Sequence, residues 1–244
     1  MIEYIKREYG FTLIELVLIV AIIGILAAVA SIKLIPTIET SRYESTKSEM
    51  RALTCAITGN PDLFVNGVRS DFGYVGDIGT LPPDLDALAS NPGLATWDGP
   101  YIKGDVEISD FKKDAWDVDY IYFDTLLRSI GSGTNIDRIF APSSSSLLNN
   151  SVLGYVVDAS SDVPGETFRD SVTINLIYPD GSGNMAIVSV SPDALGNFVF
   201  SGIPIGNHTL QVIHQPDKDT LSRLVSVVPG STINMEIRFP ADLW

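Results

Sequence analysis

Catalysis needs polar groups that converge, such as a nucleophile with a base in reach, and this sequence offers few. It has one cysteine, Cys55, and two histidines, His208 and His214. A thiol becomes reactive beside a His or a cation that lowers its pKa. Cys55, in Thr54-Cys55-Ala56-Ile57, has no such neighbour in sequence and reads as a small packed residue. His208 and His214 are an even number of positions apart, so on one strand they share a face. That could suit a metal pair, yet no carboxylate or cysteine completes a ligand motif, and two ordinary strand histidines is the better reading. Asp180 and Asp193 read as turn residues. The sequence contains no nucleophile elbow, P-loop or Rossmann fingerprint, so an enzyme is not expected. The ionisable residue out of place is Glu15, the one carboxylate in the apolar run GFTLIELVLIVAIIGILAAVA that starts at Gly10. At mid-bilayer it would cost about 2.5–3.5 kcal/mol, less near an interface, and residues kept at such a cost usually have a task.

The element that carries Glu15 is apolar on every other face, and such a helix must be buried in lipid or among other helices. The twenty residues from Phe11 to Ala30 would span about 30 Å, the thickness of a bilayer's hydrocarbon core. Three readings compete. A cleaved secretory signal is supported by the small-x-small run Ala28-Val29-Ala30, but opposed by the length of the segment, its carboxylate and the balanced charges of Glu3, Lys6, Arg7 and Glu8. A plain signal anchor would leave Glu15 an accident.

The third reading rests on a resemblance. Gly10-Phe11-Thr12-Leu13-Ile14-Glu15, with a short hydrophilic leader before it and an apolar helix after it, is similar to the class III signal of type IV pilins and type II secretion pseudopilins. The resemblance implies that prepilin peptidase cuts after Gly10 and methylates the new terminus, Phe11, and that Glu15 serves subunit assembly. Gly24 also stands where these helices carry a glycine, whereas Pro36 lies one turn later than the family's helix proline. Physical reasoning agrees: cleavage creates an α-amino group that would seek a carboxylate on a neighbouring subunit, and a buried ion pair of this kind contributes register more than net stability.

At 244 residues, 45% apolar and 19% charged, the chain has room for two modest folded units beyond the helix. Its formal charge of −14 opposes nucleic-acid binding through them. A leader at 1–10 precedes a helix at 11–57 that leaves the membrane and presents Tyr43, Met50, Leu53 and Ile57 on one face, until Gly59-Asn60-Pro61 stops it. Residues 58–140 contain Trp97-Asp98-Gly99-Pro100-Tyr101 and Asp114-Ala115-Trp116 followed by Tyr120-Ile121-Tyr122, which resemble elements of the major type II pseudopilin. Ala115, Val118 and Asp119 depart from that pattern, so the turn there is built differently. Trp97, Tyr101, Trp116 and Tyr120 are expected in the core. The pseudopilin resemblance also implies a calcium loop matching residues 131–137, in which Asn135 and Asp137 would be the side-chain ligands; an ordinary Gly-rich turn is the competing reading.

Residues 141–151 have linker composition. Residues 152–244 alternate apolar and polar positions in seven candidate strands, at 152–157, 172–178, 186–191, 197–200, 208–214, 221–227 and 233–239, the pattern of an all-β sandwich. The run from Asp193 to Val212 resembles the carboxypeptidase regulatory-like, transthyretin-like module, with His208 in place of the usual tyrosine. The expectation is therefore an α+β chain: a long N-terminal transmembrane and filament helix, a small pilin-type sheet domain, then an Ig-like or transthyretin-like sandwich. It would be a subunit of a type IV pilus-like or pseudopilus filament, held in the inner membrane before assembly and periplasmic or extracellular after it. Its partners would be like subunits, prepilin peptidase and an inner-membrane assembly platform. The alternative is a rare tip or surface subunit, an adhesin or cargo receptor, whose sandwich does the binding.

Overall fold

A computed structural model describes residues 11–102 and 111–244, and for 28–35 the backbone alone. Leader residues 1–10, including Gly10, lie outside the described residues. The chain is mixed α+β and mostly β toward its C-terminus. It divides into two compact units, with the division between Ser45 and Thr46 inside the first helix.

Helix α1 runs from Leu13 to Thr58 and passes through Pro36 without a break. A proline supplies no N–H to the helical ladder; one turn on, the Thr40 hydroxyl donates to the Pro36 carbonyl at 2.9 Å. Among the described residues no helix is long and apolar enough to cross a membrane, and the segment expected to do so is described only in part. The helix ends where expected, at Gly59, whose positive φ of 78° is a left-handed stop. Of the expected stripe, Met50, Leu53 and Ile57 are buried, while Tyr43 is 40% exposed. The buried face is completed by Thr46, Thr54 and Ala56.

Around that helix face lie a two-stranded hairpin, β1 (Phe64–Val65) and β2 (Val68–Arg69), the short helix α2 (Gly73–Ile78), and an antiparallel sheet of β3 (Ile121–Phe123), β4 (Leu126–Ser129) and β5 (Ile136–Ile139). Tyr74, Val75, Ile78, Leu88 and Leu127 join Ile57 in one core. Within the stretch expected as a linker, α3 (Ser144–Leu148) forms, because Ser143 caps it by accepting from the Ser146 N–H, and it buries Leu147.

The remaining strands match the seven expected ones in number and place: β6 (Asn150–Val157), β7 (Val172–Pro179), β8 (Met185–Val190), β9 (Asn197–Ile203), β10 (Gly206–His214), β11 (Asp219–Val227) and β12 (Thr232–Arg238), with the short helix α4 (Gly165–Phe168) between β6 and β7. They form two sheets, ordered β11-β10-β7-β8 and β12-β6-β9, with β12 parallel to β6 and the other pairs antiparallel. Inward residues of both sheets, among them Val152, Ile174, Phe198, Leu210, Val225 and Ile237, make a second core between them. That is the geometry of a sandwich.

The sandwich is docked on the first globular part. Ile205, in the turn between β9 and β10, belongs to the first core and is fully buried there. The Gly181 N–H donates to the Ile78 carbonyl at 2.8 Å, the Thr96 N–H to the Gly183 carbonyl at 3.3 Å, and the Asn207 side-chain amide to the Arg69 carbonyl at 3.1 Å. Gly79 ends α2 in the left-handed region, φ 84°, and a Cβ there would lie 2.2 Å from the Pro179 carbonyl oxygen, so the approach at this point requires glycine.

Candidate functional site

The start of α1 is built from Thr12 and Glu15. The Glu15 N–H donates to the Thr12 hydroxyl at 3.3 Å, and the Thr12 N–H donates back to the Glu15 carboxylate at 3.5 Å. This is a capping box, in which two orphan donors of the helix start are satisfied reciprocally. Its sequence signal is Thr-x-x-Glu ahead of an apolar run. Glu15 thus has an intrachain task beside the one expected between subunits. From Phe11, 74% exposed, through Leu26, the apolar side chains of this segment lie open to solvent in the single chain. With about 25 cal/mol for each Å² of apolar surface removed from water, that exposure demands a covering.

A second polar cluster, unanticipated from sequence, lines a cavity of about 760 Å³ bounded by Leu53, Phe72, Asp77, Asp98, Tyr101 and their neighbours. The Tyr101 hydroxyl donates to the Asp77 carboxylate at 2.9 Å and accepts from the Asp98 N–H at 3.1 Å. Burial pushes the Asp77 carboxyl up to about 6, against the hydrogen bond from Tyr101, with Asp98 and Asp71 adding to the rise. Burial likewise raises the Tyr101 phenol. Tyr101 also stacks edge-on with Tyr74 and Trp97, each at 5.6 Å between centroids, and the Trp97 indole donates to the Ala87 carbonyl at 2.9 Å. Trp97, Tyr101 and Trp116 are partly buried against the first core and Tyr120 is buried within it. Half-buried Cys55 also lines the cavity, but neither histidine does, so the lining brings no imidazole base to the thiol.

Asp114 organises the expected irregular turn. Its buried carboxylate accepts from the Ser129 hydroxyl at 2.5 Å and from the N–H groups of Trp116, Gly131 and Val118 at 2.9, 3.0 and 3.1 Å. Burial alone would raise its pKa; these hydrogen bonds outweigh it and hold the carboxyl below the usual range. A Cβ on Gly131 would fall 2.5 Å from this carboxylate, so the glycine expected in a calcium loop is there to admit Asp114.

In the expected calcium loop at residues 131–137, the one carboxylate is held in an ion pair. Both oxygens of Asp137 accept from the Arg128 guanidinium, at 2.6 and 2.7 Å, so a cation already occupies the carboxylate. Asn135 lies exposed in the loop before β5. Among the described residues no group of three or more His, Cys, Asp or Glu could hold a metal.

Both histidines lie on β10 facing inward, but in separate surroundings. His208 Nε2 meets the Pro204 carbonyl at 2.7 Å, its ring packs edge-on to Tyr178, and burial lowers its pKa. His214 Nδ1 meets Asp217 at 2.9 Å and its ring packs with Phe239 and Trp244.

Residues 5–31 match the family model described as the prokaryotic N-terminal methylation motif. This type IV pilin-like signal marks the chain as a pilin-like precursor of the kind processed by prepilin peptidase. No curated protein matches the chain. Among solved structures, the streptococcal ancillary pilin is 13% identical, with 49% of this chain and 43% of that one covered and a TM-score of 0.30. The dioxygenase domain of a dioxygenase and carbohydrate-binding protein fusion from Streptomyces sp. SirexAA-E is 11% identical, with 38% of this chain and 80% of that one covered and a TM-score of 0.29. These likenesses are too slight to carry an argument.

Proposed function

We propose that the chain is a structural subunit of a type IV pilus-like or pseudopilus filament, cleaved after Gly10 and assembled through its N-terminal helix. The observation that carries this reading is the methylation motif at residues 5–31 leading into an exposed apolar helical stretch whose one carboxylate, Glu15, sits four residues past the expected new terminus. Before assembly the segment resides in the inner membrane; afterwards the same surface lies among neighbouring helices in a periplasmic or extracellular filament. Exchanging lipid for helices is nearly neutral in hydrophobic terms, so packing, the pairing of the Phe11 amino group with a neighbour's Glu15, and work done by an assembly platform decide the outcome. Prepilin peptidase and like subunits are the partners this requires, and the role is structural.

Mass spectrometry of the native N-terminus tests the reading. A methylated Phe11 is the expected result, and a chain that starts at Met1 or Ser31 sinks it. Glu15→Ala should be processed normally and fail to enter filaments; undiminished incorporation would refute the assembly role.

A further inference from the structure

The edges of the sandwich are guarded unequally. A free edge strand is a template for pairing with another chain, and proteins blunt such edges with charge, proline or a bulge. Of the four edge strands, β11 carries Asp219 and Arg223, and β12 carries Glu236 and Arg238. The other two edges, β8 (Met185-Ala186-Ile187-Val188-Ser189-Val190) and β9, carry neither a charge nor a proline, and among the described residues β8 pairs with β7 alone and β9 with β6 alone. Strand β9 keeps Phe198, Phe200 and Ile203 buried on its core side, whereas β8 has no buried residue. Both of its faces are open. Ile187 on the outer face is 63% exposed. Val188 pairs with Leu176 and so points with it toward the core side, yet it is 39% exposed where Leu176 is wholly buried. The four-stranded sheet has one strand more than the three-stranded one.

We propose that the free edge of β8 pairs antiparallel with β8 of a second copy of this chain, joining two four-stranded sheets into one of eight strands. Electrostatics select this occupant. Two chains of charge −14 repel one another, and they can approach at least cost where acidic residues are scarce. The nineteen residues from Val172 to Val190 hold a single charged residue, Asp180, in the turn. The strand is also self-complementary. With Ile187 opposite its own counterpart on the two-fold axis, Ala186 faces Val188 and Met185 faces Ser189, so each contact is apolar or neutral and each side chain stays on its own face of the sheet. Backbone hydrogen bonds supply the adhesion, as in other strand-addition contacts. A two-fold contact is isologous, whereas a polar helical filament is built from heterologous ones. The β8 contact therefore joins copies outside a single filament's lattice.

The test uses the full-length chain in detergent-solubilised membranes, on a Cys55→Ala background. Under mild oxidation Ile187→Cys should give a disulfide-linked dimer of the chain, and Ser222→Cys, on the guarded β11 edge, should not. Ile187→Lys, with its fold checked by circular dichroism, should weaken self-association measured by sedimentation at least tenfold. Equal bonding at both positions, or unchanged association of Ile187→Lys, overturns the proposal. A disulfide from Ile187→Cys to a different protein also overturns it, by showing that a foreign strand takes the edge. The contact does not depend on helix-driven assembly, so the Ile187→Cys dimer should persist with Glu15→Ala; its loss there would place the contact inside the filament and overturn the two-fold form.

Discussion

The backbone N–H of Ile205 donates to the carbonyl of Leu147 at 2.8 Å, and both side chains are fully buried in the same core. One residue belongs to a turn of the sandwich, the other to the helix that leads into it. The bond joins the sandwich to the first globular part through a hydrophobic plug.

Ile205→Ala should therefore cost about 2–5 kcal/mol, as large-to-small changes at fully buried sites do. Differential scanning calorimetry of the detergent-solubilised chain should show one transition for the unaltered protein, and Ile205→Asp should split it as the sandwich loses its seat. Two transitions in the unaltered chain would mean that the seam does not couple the two cores.

Asp114 and Asp77 make opposite contributions to the pH dependence of stability. The Asp114 carboxyl is held below its ordinary value by the Ser129 hydroxyl and three backbone N–H groups, which outweigh its burial. Its contribution is present above the unfolded value near 4 and is lost as pH falls through the folded value. Asp77, raised by burial to about 6, works the other way. Between roughly pH 4 and 6 the folded state holds a proton that the unfolded state releases, so its contribution declines as pH rises. Asp114→Asn should lower stability by about 1–3 kcal/mol at neutral pH. Asp77→Asn should melt progressively higher, relative to the unaltered chain, as pH goes from 4 to 7. Melting curves across that range would expose a wrong sign for either residue.

The capping box and the intersubunit charge are separable. Glu15→Gln keeps a residue suited to the box and removes the charge, while Thr12→Ala removes the cap, at about 1 kcal/mol, and keeps the charge. Filament incorporation should fail in the first and survive in the second. The reverse pattern would make helix initiation the task of Glu15.

Chelation should leave the melting temperature unchanged and added calcium should not raise it, because the Arg128 guanidinium already occupies Asp137. A calcium-dependent rise in melting temperature that Asp137→Ala abolishes would contradict this.

The parts of the fold legible in sequence were those set by short-range pattern. Alternation placed all seven sandwich strands, and the spacing of Met50, Leu53 and Ile57 marked the buried face of α1. Tyr43 shared the spacing but is exposed, since periodicity names a face without saying how far along a helix that face is covered. The run of serines after Pro142 read as a linker because composition conceals a cap: Ser143 starts a helix that Leu147 anchors. Asp114 was hidden for another reason. Most of its partners are backbone N–H groups, which every residue but proline carries and no motif records. Ile205 falls within the run that resembles the sandwich module, and only the fold shows that its side chain enters the other core.

The seam that Gly79 and Ile205 form bears on inheritance. Excision of the sandwich would bare an isoleucine, leave the Ile78 carbonyl without its Gly181 donor, and demand of any new host a glycine where Pro179 comes within 2.2 Å of a side chain's first carbon. Recombination can move this sandwich intact only together with the helix and loops beneath it, so the two parts are expected to descend as a single unit.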